Sequence, residues 1–347
     1  MTDVSRREFA RRSFGATLGA SALWGGGLSW GRVAQARARI QAATGIDPMS
    51  LMHPDLREVA EQLAQPGGMG RVIAGRGAGD PREAVTRMIP GRGGAPDVRV
   101  LISDPSPGAE GRPLYLHIHG GGYISGTASA RFDVADAADC VVVSVDYRLA
   151  PDTPFPGSLE DNYAALKWAY DNADELGIDR TRIATGGESA GGGHAAMLAI
   201  AARDRGEVPL VYQVLIYPMI DDRTASTREV PDHIGTLIWP GESNRGGWEA
   251  LLGQPPGQPT VPHGSVPSRV EDLSGLPAAW IGVGALDLFV AEDMEYGRRL
   301  IEAGVPVEME IVPGAFHAFE LFAPDVPVSQ RFVQSWQDAL RRAFEGA

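Results

Sequence analysis

A serine flanked by glycines is the first group in this chain that could do chemistry. Residues 187–191 read Gly-Glu-Ser-Ala-Gly, with Ser189 in the middle. A short apolar run precedes this segment and a run of small helix-forming residues follows it. The order of strand, tight turn and helix is typical of a nucleophile elbow, which displays a serine hydroxyl on a strained turn. Glycines two residues before and two residues after the serine remove side chains that would clash there.

Two other interpretations of this glycine-rich segment need to be weighed. It could be a helix start without chemistry, but each glycine in a helix interior costs about 1 kcal/mol relative to alanine. Close approach of another backbone segment would offset that cost. A phosphate-binding loop is disfavoured because no Lys-Ser or Lys-Thr follows and the spacing G-x-G-x-x-G is absent. We therefore predict that Ser189 is a nucleophile.

A serine hydroxyl needs a base, and histidine is the residue expected to supply it. In elbow folds the chain order is serine, then acid, then histidine. The histidines that follow the serine are His194, His233, His263 and His317. His194 lies on the helix after the elbow, and the next two fall in an irregular stretch. His317 follows the last predicted strand, at the carboxyl edge of the sheet, and we predict that it is the base.

The acid that orients the base should also follow a strand. Asp287 comes directly after the apolar run 280–286 and before a predicted helix. We predict that it orients His317, and the alternative role is a helix N-cap. Glu292 and Asp293 are rival carboxylates, but they lie a turn inside the helix and are expected to face solvent.

Backbone amides must stabilise the oxyanion of an acyl-transfer reaction. A strongly alternating strand, 112–119, runs into three consecutive glycines, 120–122. Such a loop could be a plain connection, but beside an elbow it supplies flexible amide donors, each commonly worth about 3 kcal/mol. We predict that the amides of Gly121, Gly122 and Ala190 form the oxyanion hole.

Strands and helices alternate from residue 97 onward, which predicts an α/β fold with a mostly parallel central sheet and helices on both faces. The predicted strands are 97–103, 112–119, 139–146, 181–187, 208–217, 277–284 and 305–312. The predicted helices are 159–176, 190–202, 292–303 and 329–344.

Outside this alternation, the sequence predicts three further regions. Residues 1–38 carry the pair Arg6-Arg7, a weakly apolar stretch and small-x-small cleavage sites, and we interpret them as a twin-arginine export signal. Residues 39–95 are expected to form helices and loops, as the N-terminal part of a cap. The catalytic domain is then 96–347, with a cap insertion at about 220–275, where the alternation stops.

Composition excludes several classes of function. The chain has 347 residues and a formal net charge of −13, which argues against a nucleic-acid partner. It lacks an uninterrupted apolar run of about 18 residues, so stable membrane insertion is not expected. Its one cysteine, Cys140, excludes an intrachain disulfide and a multi-cysteine metal site, and its surroundings are typical of a core strand.

Together these motifs resemble those of the bacterial hormone-sensitive-lipase-like esterases of the α/β-hydrolase fold, over roughly residues 97–320. The segments that carry the resemblance are His119–Gly122, Gly187–Gly191, Asp287, His317, Asp146–Pro151, Phe155-Pro156, Leu159–Asp161 and Ile216–Pro218. The resemblance implies hydrolysis of carboxylic esters, usually short-chain, through an acyl-enzyme with no metal or cofactor. It also implies that His119 supports the glycine loop. Glu188 and Leu288 depart from the family, which usually has Asp and often Pro there, and both departures bear on acyl preference.

The sequence therefore predicts a serine carboxylesterase for short- to medium-chain esters. Ser189 attacks, His317 transfers the proton and Asp287 holds the imidazole. An amidase, a formamidase or a lactonase could use the same three residues, and a hydrolase-like binding protein would use none of them. Labelling of Ser189 by a fluorophosphonate distinguishes the binding protein from the enzymes. The expected partner is a small-molecule ester, a homodimer is an open alternative to a monomer, and the expected location is the periplasm or outside the cell.

Overall fold

A single eight-stranded sheet organises the part of the chain described by the computed structural model, which is residues 47–74 and 80–346 together with residue 41. The strands lie in the order β1-β2-β4-β3-β5-β6-β7-β8. They are β1 (Val85–Ile89), β2 (Val98–Ser103), β3 (Arg112–Ile118), β4 (Val141–Asp146), β5 (Ile178–Glu188), β6 (Tyr212–Ile216), β7 (Ala278–Gly284) and β8 (Val307–Val312).

The strands from β4 across to β8 pair in parallel, whereas β1 and β2 run antiparallel to their neighbours. The central strands β3 and β6 are buried along their whole length. Such complete burial is expected of strands that are covered on both faces. The predicted α/β fold with a mostly parallel sheet is confirmed.

Helices cover both faces of the sheet. They are α1 (Arg57–Leu63), α2 (Gly68–Ala74), α3 (Phe132–Ala138), α4 (Gly157–Asp171), α5 (Ala173–Leu176), α6 (Ala190–Arg205), α7 (Gly241–Leu252), α8 (Val290–Glu302), α9 (Phe319–Phe322) and α10 (Pro327–Glu345). Short 3-10 turns lie at Pro48–Leu51, Pro54–Leu56, Arg92–Gly94 and Pro267–Arg269.

Side chains that alternate along one strand enter two separate cores. Val143 of β4 packs in the cluster that includes α4 and α6, whereas Val142 packs in the cluster that includes α3 and α10. Such alternation is what the pleat of a strand dictates. Cys140 is a free, buried thiol in the second cluster, as predicted.

The first strand is a departure from the prediction. Helices and loops were expected throughout 39–95, yet β1 pairs with β2 at the edge of the sheet. Its residues Val85 to Met88 are exposed and only Ile89 is buried, so the segment shows no period-two pattern. The sheet thus begins before residue 96. The assignment of the remaining N-terminal residues to a cap stays a prediction.

The N-terminal segment packs on the loop that carries His317. The amide of His53 donates to the carbonyl of Gly314 at 2.9 Å, and a Cβ on Gly314 would lie 2.4 Å from that amide nitrogen. Leu56 and Leu63 of the same segment are buried. The predicted export signal, 1–38, lies outside the described residues. Among the described residues, no helix combines the length and the apolar character needed to cross a bilayer.

Candidate active site

Ser189 lies on a sharp turn between β5 and α6. Its φ of +57° is in the left-handed region, which a residue with a side chain rarely adopts. A Cβ on Gly187 or on Gly191 would lie 2.0 Å from the carbonyl oxygen of Ile118, the last residue of β3. Both glycines of the motif are therefore required by the same neighbouring atom, and the strain at Ser189 is held in place by packed backbone.

The three predicted side chains form one hydrogen-bonded chain. His317 Nε2 lies 3.0 Å from Ser189 Oγ, and His317 Nδ1 lies 2.8 Å from Asp287 Oδ2. When Nδ1–H donates to the carboxylate, the lone pair of Nε2 faces the serine hydroxyl. Ser189, His317 and Asp287 are 6%, 1% and 0% exposed. This geometry suits removal of the serine proton by the histidine.

The fold brings these residues together because each follows a parallel strand at the same edge of the sheet. The turns after β7 and β8 are also bonded to each other, since Leu286 N donates to Ala315 O at 2.9 Å. A Cβ on Gly284 would lie 2.3 Å from that same Ala315 oxygen. Close backbone contact thus sets the distance between Asp287 and His317.

Aromatic rings fix the orientation of the histidine. The imidazole of His317 makes edge-to-face contacts with Tyr217 and Phe289, at centroid distances of 4.8 and 5.2 Å. Asp287 also uses its second oxygen, because Oδ1 accepts from Phe289 N at 3.0 Å. The helix α8 begins only at Val290, so Asp287 bonds the turn before the helix while its other oxygen faces His317.

The glycine loop after β3 lies directly against the elbow. A Cβ on Gly120 would lie 2.8 Å from the carbonyl oxygen of Glu188 and 3.4 Å from Ser189 Cβ. Gly121 and Gly122 have φ values of +124° and +62°, which glycine adopts without strain. This loop needs glycine both for its conformation and for its closeness to the serine.

The oxyanion-hole role of Gly121, Gly122 and Ala190 stays a prediction. Ala190 is the first residue of α6, immediately after the serine. The carbonyl of Gly121 accepts from both the amide and the hydroxyl of Ser125, at 3.0 and 2.9 Å. These bonds hold the loop in a turn between Gly121 and Ser125.

His119 has the surroundings of a supporting residue. Its ring stacks on Tyr147 at 4.2 Å, and the Tyr147 hydroxyl donates to the His119 carbonyl at 2.9 Å. His119 Nδ1 lies 2.8 Å from the carbonyl oxygen of Gly120. Burial lowers the pKa of His119 to about 4, so the ring is neutral at neutral pH.

His194, on the elbow helix, is a core residue. Its ring makes edge contacts with Tyr123 and Tyr147, at 4.9 and 4.7 Å. Burial lowers its pKa to about 3. By contrast, the side chain of His263 in the irregular insert is 85% exposed. Neither surrounding resembles that of His317.

Glu292 and Asp293 do not face solvent, which corrects the expectation from sequence. Both are fully buried, and Glu292 accepts from the amides of Ile220 and Asp221 at 2.8 and 3.1 Å. Burial, together with neighbouring carboxylates, raises the pKa of each well above its ordinary value. The first turn of α8 packs against the segment that follows β6. The positions of Glu292 and Asp293 in the sequence give no sign of that packing.

A buried polar cluster beside the elbow was missed by sequence reasoning. Glu188 Oε1 accepts from Arg131 Nη1 at 2.7 Å, and Glu188 Oε2 lies 3.0 Å from His117 Nε2. Burial by itself would raise the pKa of Glu188, but the Arg131 guanidinium and His117 hold it well below its ordinary value. Burial and Arg131 lower the pKa of His117. Arg131 is far from Glu188 in sequence, so the motif alone gives no sign of this ion pair.

The irregular insert packs on the glycine loop. A Cβ on Gly122 would lie 2.1 Å from Trp239 Cη2, and the Trp248 ring lies 5.1 Å from that of Tyr123. Trp239 Nε1 donates to Asn244 Oδ1 at 3.2 Å. Both tryptophans are buried, with Trp239 against Gly122 and Trp248 against Tyr123, the residue after the glycine loop.

A family model described as alpha/beta hydrolase fold matches residues 115–321. This span includes the elbow, the glycine loop and all three residues of the hydrogen-bonded chain.

Named relatives are similar over most of the chain. The carboxylesterase NlhH of Mycobacterium tuberculosis is 36% identical over 275 residues, which cover 76% of this chain and 84% of that protein. Among solved structures, a bacterial heroin esterase is 35% identical with a TM-score of 0.75, covering 85% of this chain and 99% of the other. A hyperthermophilic esterase from Pyrobaculum calidifontis is 30% identical with a TM-score of 0.68, covering 88% and 96%.

Proposed function

Because this chain belongs to the hormone-sensitive-lipase-like esterases of the α/β-hydrolase fold, we propose that it hydrolyses short- to medium-chain carboxylic esters through an acyl-enzyme on Ser189. The chain is a carboxylic ester hydrolase, because its sequence is similar to those of named esterases over most of its length. The observation that carries the proposal is the hydrogen-bonded chain Ser189–His317–Asp287.

In the acylation step, Ser189 Oγ attacks the ester carbonyl carbon while its proton passes to His317 Nε2. The carbonyl oxygen becomes an oxyanion that accepts hydrogen bonds from the amides of Gly121, Gly122 and Ala190. The imidazolium is stabilised by Asp287. It then returns the proton to the departing alkoxide oxygen, which leaves as the alcohol.

Deacylation repeats this chemistry with water. His317 removes a proton from water as the water oxygen attacks the acyl carbon. The second oxyanion collapses, Ser189 regains its proton from the imidazolium, and the carboxylic acid is released. In each step, side chains and backbone amides of this chain act on the ester and on water.

The acyl limit is supported by the packing of Trp239 on Gly122, because a large buried ring beside the proposed oxyanion loop leaves less room for a long acyl group. Trp239→Ala is expected to raise kcat/KM for p-nitrophenyl decanoate relative to the butyrate. An unchanged ratio would remove Trp239 from the account of acyl preference.

Turnover of p-nitrophenyl esters of increasing acyl length tests the function. We expect the wild type to favour chains of up to about eight carbons. Ser189→Ala and His317→Ala should lower kcat by roughly 10⁵ to 10⁶. A folded Ser189→Ala protein that keeps the wild-type rate would contradict the proposal. The matching p-nitroanilides test the amidase alternative, since an esterase leaves them largely intact.

Export through the twin-arginine pathway to the periplasm or beyond is also proposed. Its support is the pair Arg6-Arg7 followed by the weakly apolar stretch 13–30 and the small-x-small sites near residues 34–38. A variant with lysine at both arginine positions should stay in the cytoplasm. Its appearance in the periplasm at the wild-type level would refute this assignment.

A homodimer is proposed through the exposed edge strand β8. Met309 and Ile311 on this strand are each 38% exposed, and Ile301 of the adjacent α8 is 60% exposed. An edge strand with exposed apolar side chains can pair with a second copy. Light scattering should give the mass of a dimer for the wild type and of a monomer for Met309→Glu. A wild-type monomer at high concentration would refute it.

A further inference from the structure

A second buried carboxyl group lies close to the proposed base. Glu320 belongs to α9, three residues after His317, and is 6% exposed. The hydroxyl of Tyr217 donates a short hydrogen bond to Glu320 Oε1. Within the described part of the chain, Oε2 of the same carboxyl is buried without a hydrogen-bond partner. A buried carboxyl oxygen without a hydrogen-bond partner destabilises the folded protein, so a carboxyl of this kind beside the site is a candidate for a functional role.

Tyr217 connects this carboxyl to the site. Its ring makes the edge contact of 4.8 Å with the imidazole of His317 and stacks on Phe332. Its φ of +35° is in the left-handed region, and its amide donates to Gly282 O at 2.6 Å. The tyrosine is therefore held in a strained conformation at the end of β6, with its hydroxyl directed at Glu320.

Carboxyl groups predominate among the ionisable groups around Glu320, and Glu320 forms no ion pair within the described residues. It lines two cavities, of about 620 and 520 Å³. The ionisable groups that line these cavities or act on its charge are Tyr217, Glu188, Asp287, Asp55, Glu58, Arg71, Asp325 and Asp338. Arg71, the one base in this set, donates to the Pro66 carbonyl. Burial raises the pKa of Glu320 to about 8, against the opposing effect of the Tyr217 hydrogen bond.

We propose that Glu320 is a positioning residue for His317. Through the Tyr217 hydroxyl it fixes the aromatic ring against which the imidazole packs. This inference rests on the proposed role of His317 as the base. It assigns the carboxyl no contact with substrate, so the effect falls on proton transfer and hence on kcat rather than on KM.

Burial favours the protonated form of Glu320. In either protonation state Oε1 can accept from the Tyr217 hydroxyl, so the positioning role follows from the hydrogen bond itself.

Variants at the two positions separate this role from simple packing. Glu320→Gln keeps an acceptor for the Tyr217 hydroxyl and cannot ionise. Glu320→Leu removes the acceptor, and Tyr217→Phe removes the donor while keeping the ring. Glu58→Gln is the matched control, because Glu58 lines the same cavity and is exposed.

The experiment measures kcat and KM on p-nitrophenyl butyrate from pH 6 to pH 9.5 for all five proteins. We expect Tyr217→Phe and Glu320→Leu to lower kcat about tenfold at pH 7 with KM unchanged, as the loss of one hydrogen bond predicts. Glu320→Gln should stay within about threefold of the wild type at pH 7, since its amide oxygen accepts the same bond. Glu58→Gln should match the wild type across this pH range.

A tenfold loss of kcat in a folded Glu320→Gln protein would overturn the proposal, as would an unchanged kcat in Tyr217→Phe. Both tests remain available if Glu320→Leu fails to fold. Fluorophosphonate labelling of Ser189 in each variant separates this outcome from failure of the proposed function. A wild type that is neither labelled nor able to hydrolyse esters refutes the proposed function. If the wild type is labelled and hydrolyses esters, a negative result with the variants refutes only the role of Glu320.

Discussion

Two glutamates flank the site, one on each side, and they are in opposite states of charge. Glu188 precedes the serine, and Arg131 holds it ionised at an Nη1–Oε1 distance of 2.7 Å. Glu320 follows the histidine, accepts from the Tyr217 hydroxyl, has no counter-ion among the described residues, and is neutral at neutral pH. Both side chains are largely buried. The difference therefore comes from the counter-ion, since burial alone disfavours the charged form of either carboxyl.

This comparison assigns different tasks to the two sides of the site. On the elbow side, an ion pair ties the residue before the nucleophile to the segment that leads into α3. On the histidine side, a neutral acid holds an aromatic ring by one hydrogen bond. Loss of a partner should thus be severe for Glu188 and mild for Glu320, and the following predictions test that ranking.

The largest effect is expected for Arg131→Met. It leaves Glu188 largely buried without its cation, which should lower the free energy of unfolding by about 3 kcal/mol. Denaturant unfolding at pH 7 measures it. Asp133→Asn is the control, because Asp133 is the exposed second partner of Arg131. Equal stability of Arg131→Met and wild type would mean that Glu188 is not held as an ion.

A matched pair of isosteric changes comes next. Glu188→Gln leaves the Arg131 guanidinium buried without an anion, and we expect a loss of about 2 kcal/mol. Glu320→Gln replaces a neutral acid by a neutral amide and should change stability by less than about 1 kcal/mol at pH 4.5, where the folded carboxyl is protonated. The same unfolding experiment checks both. Equal costs would remove the distinction between the two glutamates.

The pH dependence of the free energy of unfolding should also distinguish the two glutamates, because its sign differs between them. The pKa of Glu320 is raised from 4.5 to about 8 in the folded protein. Between these values the folded state binds the extra proton, so this group's contribution to stability is present below pH 4.5 and is lost as the pH rises toward 8. Relative to Glu320→Gln, the wild type should lose about 1 kcal/mol per pH unit in that window. A difference that stays constant with pH would contradict a neutral Glu320.

Glu188 should behave in the opposite sense, because its folded pKa is lowered. Its contribution is present above the unfolded value of 4.5 and is lost as the pH falls below it. The wild type should therefore lose stability relative to Glu188→Gln on acidification below pH 4.5. Parallel acid-unfolding curves for the two proteins would argue against the ion pair.

A smaller effect than that of Glu188→Gln is expected for Glu188→Asp. The shorter side chain weakens the bond to Arg131 but keeps its charge, so the expected loss of stability is about 1 kcal/mol. A change in the ratio of rates on p-nitrophenyl acetate and octanoate would show that Glu188 helps to shape the site. An unchanged ratio would make Glu188→Asp neutral for acyl preference.

The sequence predicted the parts of this site that depend on strand ends and on glycine. Ser189, Asp287 and His317 each follow a strand, and the parallel order of β5, β7 and β8 brings them to one edge. The need for Gly187 and Gly191 was also evident, although only the structure identifies the Ile118 carbonyl as the atom that requires both.

The features that sequence reasoning missed depend on contacts between distant segments. Glu292 and Asp293 were expected to face solvent, because a carboxylate on a helix gives no sign of its burial. The strand β1 was missed because an edge strand with exposed side chains shows no alternation. The bond between Tyr217 and Glu320 joins residues 103 positions apart. A pattern within one segment cannot reveal any of these.

The central claim is that Ser189 is a nucleophile activated by His317. The most direct measurement is treatment of the folded protein with a fluorophosphonate, followed by mass spectrometry of its peptides. The account predicts one covalent adduct, on Ser189, which is absent from Ser189→Ala and slow to form in His317→Ala. An unlabelled Ser189 in a correctly folded wild type, or equal labelling in Ser189→Ala, would contradict it.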